Sequence, residues 1–322
     1  MPLTNPALQA GVALRGLSLA GEDLRDVSLC DTAFQDCDLS GANLSGADLT
    51  RSRLTRCRCD ATLFTDALLD DATLEDCSLQ QACLTHASLV NTRLTNVNLD
   101  NARLDKARLC GVQFESVTWR GVNLERATLQ HLVKVPAWDN ANLSMSEWVR
   151  CDLSGLRCTQ SVGVLMEMQA CVARDMVFSD SDLTQLIAMH IDLSGTTLHR
   201  CQLHRAGFIG SDLGNSQCLD CDLEGAHLGS SRLVLARWQG VGLKTATLVG
   251  ADLSGADFTE ANLYMADLSH ATVRHTRFDR ANLTLCNLHN VDLTQAVTTG
   301  TKLTGARYTD ERLLAAEQFS AV

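Results

Sequence analysis

Large apolar residues recur along this chain at every fifth position. From Leu14 to Leu129 that spacing marks 24 positions, and 22 of them hold Leu or Phe, with Cys59 and Trp119 as the others. Two residues earlier sits a small or β-branched side chain, as at Cys37, Ala42, Ala47, Ala72 and Ala87. A second register runs from Leu143 to Tyr308. A period of five fits neither the 3.6 of a helix nor the 2 of a plain strand. It does fit a short extended piece followed by a corner. The central residue and the one two before it then point the same way, as in a strand, and the other three positions face water. Four such sides close a square coil of twenty residues, filled by Leu and Phe among small residues. Fifteen of the 21 glycines fall two residues after a central position, where a corner needs backbone freedom. The pattern predicts an all-β helix of square cross-section, in which each coil touches only its neighbours.

The pattern predicts this organisation: an N-terminal cap or tail over 1–11, a first repeat segment over 12–129, a register break over 130–142, a second repeat segment over 143–308, and a C-terminal cap helix over 309–322. The break has two readings. One is a projecting loop from Gln130 to Asn140 that carries His131, Lys134, Pro136 and Trp138. The other, preferred, is a one-residue deletion that makes Val133 and Trp138 central, with His131 and Pro136 before them. Trp138 then shares a twenty-residue column with Phe178, Trp238, Phe258 and Phe278. Residues 156–190 are degenerate, and five of the seven methionines lie in 145–189. In the repeat register Met145, Val164 and Leu165 point outward, which marks either a partner site or a distorted coil that buries them locally. At the C-terminus Thr309 or Asp310 can N-cap a helix whose apolar residues are Leu313, Leu314 and Phe319. Leu313 and Phe319 are expected to cover the last coil, or the helix to join two chains.

The formal charge is −11, spread over both halves of the chain, so direct nucleic-acid binding is disfavoured. Residues twenty apart are neighbours on adjacent coils, which aligns Asp31, Arg51 and Asp71 in one outward column and Asp36, Arg56 and Asp76 in the next. These columns are either salt-bridge ladders or part of an acidic docking face. Eleven of the 14 cysteines take inward positions, among them Cys37, Cys57 and Cys77 at intervals of twenty. No Cys or His spacing completes a zinc site, and His199, His204, His227 and His289 read as solvent-facing. No nucleophile elbow, phosphate loop or dinucleotide fingerprint is present. No catalytic residue, metal site or cofactor is therefore expected. With no export signal or membrane span in the pattern, the thiols point to a reducing cytoplasm, secretion without a cleavable signal being the alternative.

Residues 36–49 read D-C-D-L-S-G-A-N-L-S-G-A-D-L and residues 251–268 read A-D-L-S-G-A-D-F-T-E-A-N-L-Y-M-A-D-L. They resemble the pentapeptide-repeat family, whose pattern is A-(D/N)-L-X-X, and the resemblance extends over about residues 12–308. It implies a right-handed quadrilateral β-helix, the pentapeptide-repeat solenoid, closed here by a short C-terminal helix cap. It also implies a protein–protein interaction scaffold rather than an enzyme. Two narrower roles follow from the resemblance: an acidic DNA mimic that binds a type II topoisomerase such as DNA gyrase, and an adaptor or effector of a secretion system. The gyrase-protecting relatives have protruding loops and a C-terminal helix that makes a homodimer. On these grounds the candidate partner-binding residues are Met145, Val164, Leu165, Lys134, Asp31, Asp36, Asp71 and Asp76, and the candidate cap or dimer residues are Leu313, Leu314 and Phe319.

Overall fold

The computed structural model describes residues 9–319; most of the expected N-terminal segment lies outside them. Residues up to Met166 form one compact unit and residues from Glu167 a second. Each is a parallel β-solenoid in which a residue pairs with its counterpart one coil on, almost everywhere twenty positions later. The first unit contains β1 (Ala13–Arg15), β2 (Ala33–Gln35), β3 (Arg53–Thr55), β4 (Thr73–Glu75), β5 (Arg93–Thr95), β6 (Arg108–Cys110), β7 (Gln113–Glu115), β8 (Thr128–Gln130), β9 (Trp138–Asp139), β10 (Glu147–Val149) and β11 (Arg157–Thr159). One side of the square is the sheet β1-β2-β3-β4-β5-β7, and β6, β8 and β10 line another. The second unit contains β12 (Glu167–Gln169), β13 (Val177–Ser179), β14 (Thr197–His199), β15 (Gln217–Leu219) and the helix α1 (Glu311–Phe319).

The repeat residues explain why strands stay three residues long. A central Leu points inward, and the Asp or Asn before it folds its side chain back onto the corner. Asp38 Oδ1 accepts the Ser40 N–H at 3.0 Å, Asp48 that of Thr50 at 2.9 Å, and Asp252 that of Ser254 at 3.0 Å. This is the Asx-turn chemistry that ends an extended run. Two residues after the central one the backbone turns left-handed. Gly41 does so at φ +66°, but so do Asp31 at +59° and Arg51 at +56°. The corner therefore requires this conformation whichever residue occupies it, with glycine the least strained choice. Coils are joined by backbone bonds, such as Leu39 N–H to the Arg58 carbonyl at 2.7 Å.

Inside, like stacks on like: Leu14, Phe34 and Leu54 stand side by side along one wall. All eleven inward cysteines are buried, whereas Cys30, Cys83 and Cys110 are half-buried. Several inward hydroxyls bond to the coil before, as Thr62 Oγ1 does to the Leu39 carbonyl at 2.6 Å, and others to a carbonyl three residues back, as Ser146 and Ser231 do; the Ser52 hydroxyl has no partner among the described residues. In the second unit Phe178, Trp238, Phe258 and Phe278 lie on one wall, fully buried, as the register predicts. Trp238 meets Phe258 at 6.0 Å between centroids.

Two expectations for the C-terminus need correction. Asp310 N-caps α1, its Oδ1 accepting the N–H of Arg312 at 2.9 Å and of Leu313 at 3.2 Å. The helix, however, lies along a flank of the solenoid rather than over its end. Leu313 is 48% and Phe319 87% exposed, so neither covers the last coil, where Leu303 is only half-buried and Tyr308 exposed. Polar anchors cause this placement. The Asn290 N–H donates to Thr309 Oγ1 at 3.2 Å, and the Asp310 N–H to His289 Nδ1 at 3.1 Å, which fixes the chain to the side wall before the helix starts. His289 is accordingly buried under the helix, not solvent-facing. Among the described residues no helix is long and apolar enough to cross a membrane.

Candidate docking sites on the solenoid surface

The break between the two registers is a shortened side. Gln113 pairs with Val133, twenty residues on, whereas Asn123 pairs with Asn142 and Thr128 with Glu147, each nineteen on. Trp138 is central and buried beside Cys158. Val133, in contrast to its expected inward place, is 54% exposed, and Leu132 is the buried residue. With one residue fewer, the side keeps a single inward position and brings its corner forward: Lys134 already sits at φ +54°. Aromatic bulk replaces the missing leucine. Phe114 and Trp119 are 5.1 Å apart, Trp138 and Trp148 4.7 Å, and Trp119 Nε1 donates to the carbonyls of Pro136 and Ala137, both at 3.2 Å. Outside the wall the gap leaves an open groove of about 750 Å³ lined by Arg93, Gln113, Phe114, Glu115, Val133 and Lys134. Sequence reading singled out Lys134 there but not Phe114, which looked like any other central residue.

Met145, Val164 and Leu165 come together on adjacent coils of the first unit. The Met145 N–H donates to the Val164 carbonyl at 2.9 Å. Met145 and Leu165 are corner residues, both at φ +58°, which aims their side chains outward. The same corner on preceding coils carries Asp66, His86, Lys106 and Arg126, all left-handed too. Met145 is 40% and Leu165 38% exposed, and Val162, beside them, 42%; Val164 is half-buried. Val162 went unnoticed in the sequence. Its signal was an apolar residue directly before a central position, where Asp or Asn usually folds onto the corner. The methionine-rich character of the region is mostly a core feature, since Met166, Met168 and Met176 are buried.

The aspartate columns are satisfied rather than bare. Arg51 grips Asp31 with Nε and Nη2 at 2.8 and 2.7 Å, and Arg56 grips Asp36 at 2.7 and 3.1 Å. These guanidinium contacts hold both carboxyls below their ordinary range. Asp71 and Asp76 take the side-chain amides of Asn91 and Asn96 at 3.2 and 2.7 Å. Each ladder is thus one ion pair followed by one amide contact.

Two family models match the sequence. A pentapeptide repeat region matches residues 11–82, and pentapeptide repeats of eight copies match residues 77–115, 221–259, 239–274 and 261–300. Among curated proteins none matches. Solved structures similar to the chain include HetL, a pentapeptide repeat protein involved in heterocyst differentiation regulation from the cyanobacterium Nostoc sp. strain PCC 7120. It is 24% identical over 92% of this chain and 87% of that one, with a TM-score of 0.21. QnrB1, a plasmid-mediated fluoroquinolone resistance protein, is 16% identical over 70% and 97%, with a TM-score of 0.23. Rfr23 from the cyanobacterium Cyanothece 51142 is 18% identical over 51% and 88%, with a TM-score of 0.14.

Proposed function

This chain belongs to the pentapeptide-repeat family, and we propose that it acts without catalysis, as a scaffold that docks a protein partner on the side wall of its first unit. The observation that carries this reading is the change along one corner column. Charged and polar residues at Asp66, His86, Lys106 and Arg126 give way to Met145 and Leu165, flanked by Val162 and Val164. A left-handed corner already strains a bulky apolar residue by roughly 1–2 kcal/mol, and exposing it forgoes the gain from burial. Neighbouring exposed apolar side chains, at the end of a corner column that is otherwise charged or polar in this unit, suit a partner's apolar contact, and methionine adapts to its shape. Arg126 and Lys106 beside the patch favour a partner with an acidic rim.

A photo-cross-linking residue placed at position 145 should capture one discrete partner in cells, and the same residue at position 66, on the same column, should not. Equal capture at both positions would remove the basis of the reading. Mimicry of DNA toward a topoisomerase gains less support, because Asp31 and Asp36 are neutralised by arginine and Asp71 and Asp76 are engaged by amides.

A further inference from the structure

We propose that His270, His289 and Glu317 form a divalent-cation site, best suited to zinc, that ties α1 to the flank of the second unit. The Glu317 Oε2 lies 3.2 Å from His289 Nε2 and 3.4 Å from His270 Nε2, and one ligand atom from each of the three residues falls within 4.8 Å of the others. Bonds of about 2.0–2.2 Å at tetrahedral angles separate zinc's ligand atoms by about 3.3 Å, so two of the three edges already have the required length. The third edge, between ligand nitrogens of the two imidazoles, is no longer than 4.8 Å, with the ring centroids 5.3 Å apart. Two imidazoles and a carboxylate are a ligand set that zinc takes, with a fourth position left for water.

The surroundings show what the ion must displace. His289 Nδ1 accepts the Asp310 N–H at 3.1 Å, and His270 Nδ1 lies 3.0 Å from the Asn290 amide nitrogen. Without an ion both rings therefore carry their proton on Nε2; His289 donates its proton to Glu317 Oε2, and His270 Nε2 lies 3.4 Å from the same oxygen. An ion at Nε2 moves each proton to Nδ1, with no net release. At His270 the Asn290 side chain rotates so that its oxygen accepts. At His289 the Asp310 N–H must withdraw, and the Asp310 carboxylate, adjacent and now capping the helix through Oδ1, can accept a hydrogen bond from the Nδ1–H, as carboxylates do behind metal-bound histidines. Loading the site thus re-seats the first turn of α1. The sequence hid this arrangement, because the histidines are nineteen residues apart on adjacent coils and Glu317 lies outside the repeat.

The test is titration of the full-length protein with zinc alone, followed calorimetrically, and with cobalt, followed by absorption. One ion should bind per chain, and cobalt should show a tetrahedral spectrum without a thiolate charge-transfer band, which separates this site from the cysteines. H270Q and E317Q, each at a partly exposed position, should weaken binding at least about tenfold while their melting curves in chelator match the unaltered protein. Zinc should also change amide exchange at Asp310. Failure to saturate at one ion per chain, a thiolate spectrum, affinity indifferent to both variants, or unaltered exchange at Asp310 would overturn the assignment.

Discussion

Phe278 stacks on Phe258 with ring centroids 5.8 Å apart and planes inclined by 20°. The two are twenty residues apart, so the contact measures the coil repeat directly, and Trp238 extends the column. Trp238 is fully buried, and its Nε1 donates to Ser216 Oγ at 2.9 Å. Trp238→Ala should cost about 3–5 kcal/mol as a core truncation, and Leu253→Asp should cost several kcal/mol more than a surface change, because it buries an unpaired charge. Lys244→Ala, on the exposed side of the same unit, should change stability by less than about 0.5 kcal/mol. Urea titrations of the three variants check the ranking, and equal midpoints would contradict the inside–outside assignment.

The aspartates gripped by arginine set an acid limit. Arg51 and Arg56 lower the carboxyls of Asp31 and Asp36 below their ordinary value of 3.8. A depressed folded-state value means the stabilisation is fully present above the unfolded value and is lost as pH falls through the folded one. The contribution of these pairs to the melting temperature should therefore not change with pH between pH 6 and 8. Below about pH 4 the unaltered protein should lose more stability than the double variant R51A/R56A. Parallel acid limbs for both would show that the ion pairs contribute nothing.

Thiol chemistry should single out Cys83. Burial raises its pKa, but the hydroxyls of Thr65 and Thr85, at 3.4 and 3.3 Å, and the nearby Arg103 charge outweigh that and leave it below the ordinary thiol value. Cys57, through its contact with Cys77 and its burial, and Cys59, through burial, are pushed well above theirs. Limited alkylation of the folded protein, read by peptide mass mapping, should modify Cys83 before either of them. Earlier modification of Cys57 or Cys59 would contradict the packing of that wall.

The helix α1 should behave as a flank clasp rather than an end plug. Leu303 is only half-buried and Tyr308 exposed with the helix in place, so removing residues 309–322 should uncover His289 and leave the exposure of the last coil little changed. The shortened chain should stay soluble with a modestly lower melting temperature. If Leu313, Leu314 and Phe319 join two chains, light scattering should show L313S/F319S with half the mass of the unaltered protein. Aggregation of the deletion alone would restore the end-cap role.

Legibility in the sequence followed the repeat. Wherever a residue's surroundings are set by its place in the pentad, as for the buried Cys37, Ala42 and Phe258, periodicity placed it. It failed where contacts came from outside the pentad. Val133 points out and Leu132 in because a shortened side changes which residue reaches the interior. His289 is buried because α1, which has no pentad register, folds onto it. Leu313 and Phe319 face solvent because Thr309 and Asp310 anchor the chain to the side wall, an interaction between side chains that no spacing reports. The outward corners Met145 and Leu165 were readable because they break the polar rule of their own column.

Partner docking turns on the corner formed by Met145 and Leu165. Once the partner cross-linked at position 145 is in hand, its affinity should be measured by calorimetry for the unaltered protein and for M145S/L165Q, which restores polar corners without touching the core. Affinity should fall at least about tenfold, or by roughly 1.4 kcal/mol, with an unchanged melting temperature. An unchanged affinity would contradict docking there, because the exposed corner of Met145 and Leu165 would then not be what the partner binds.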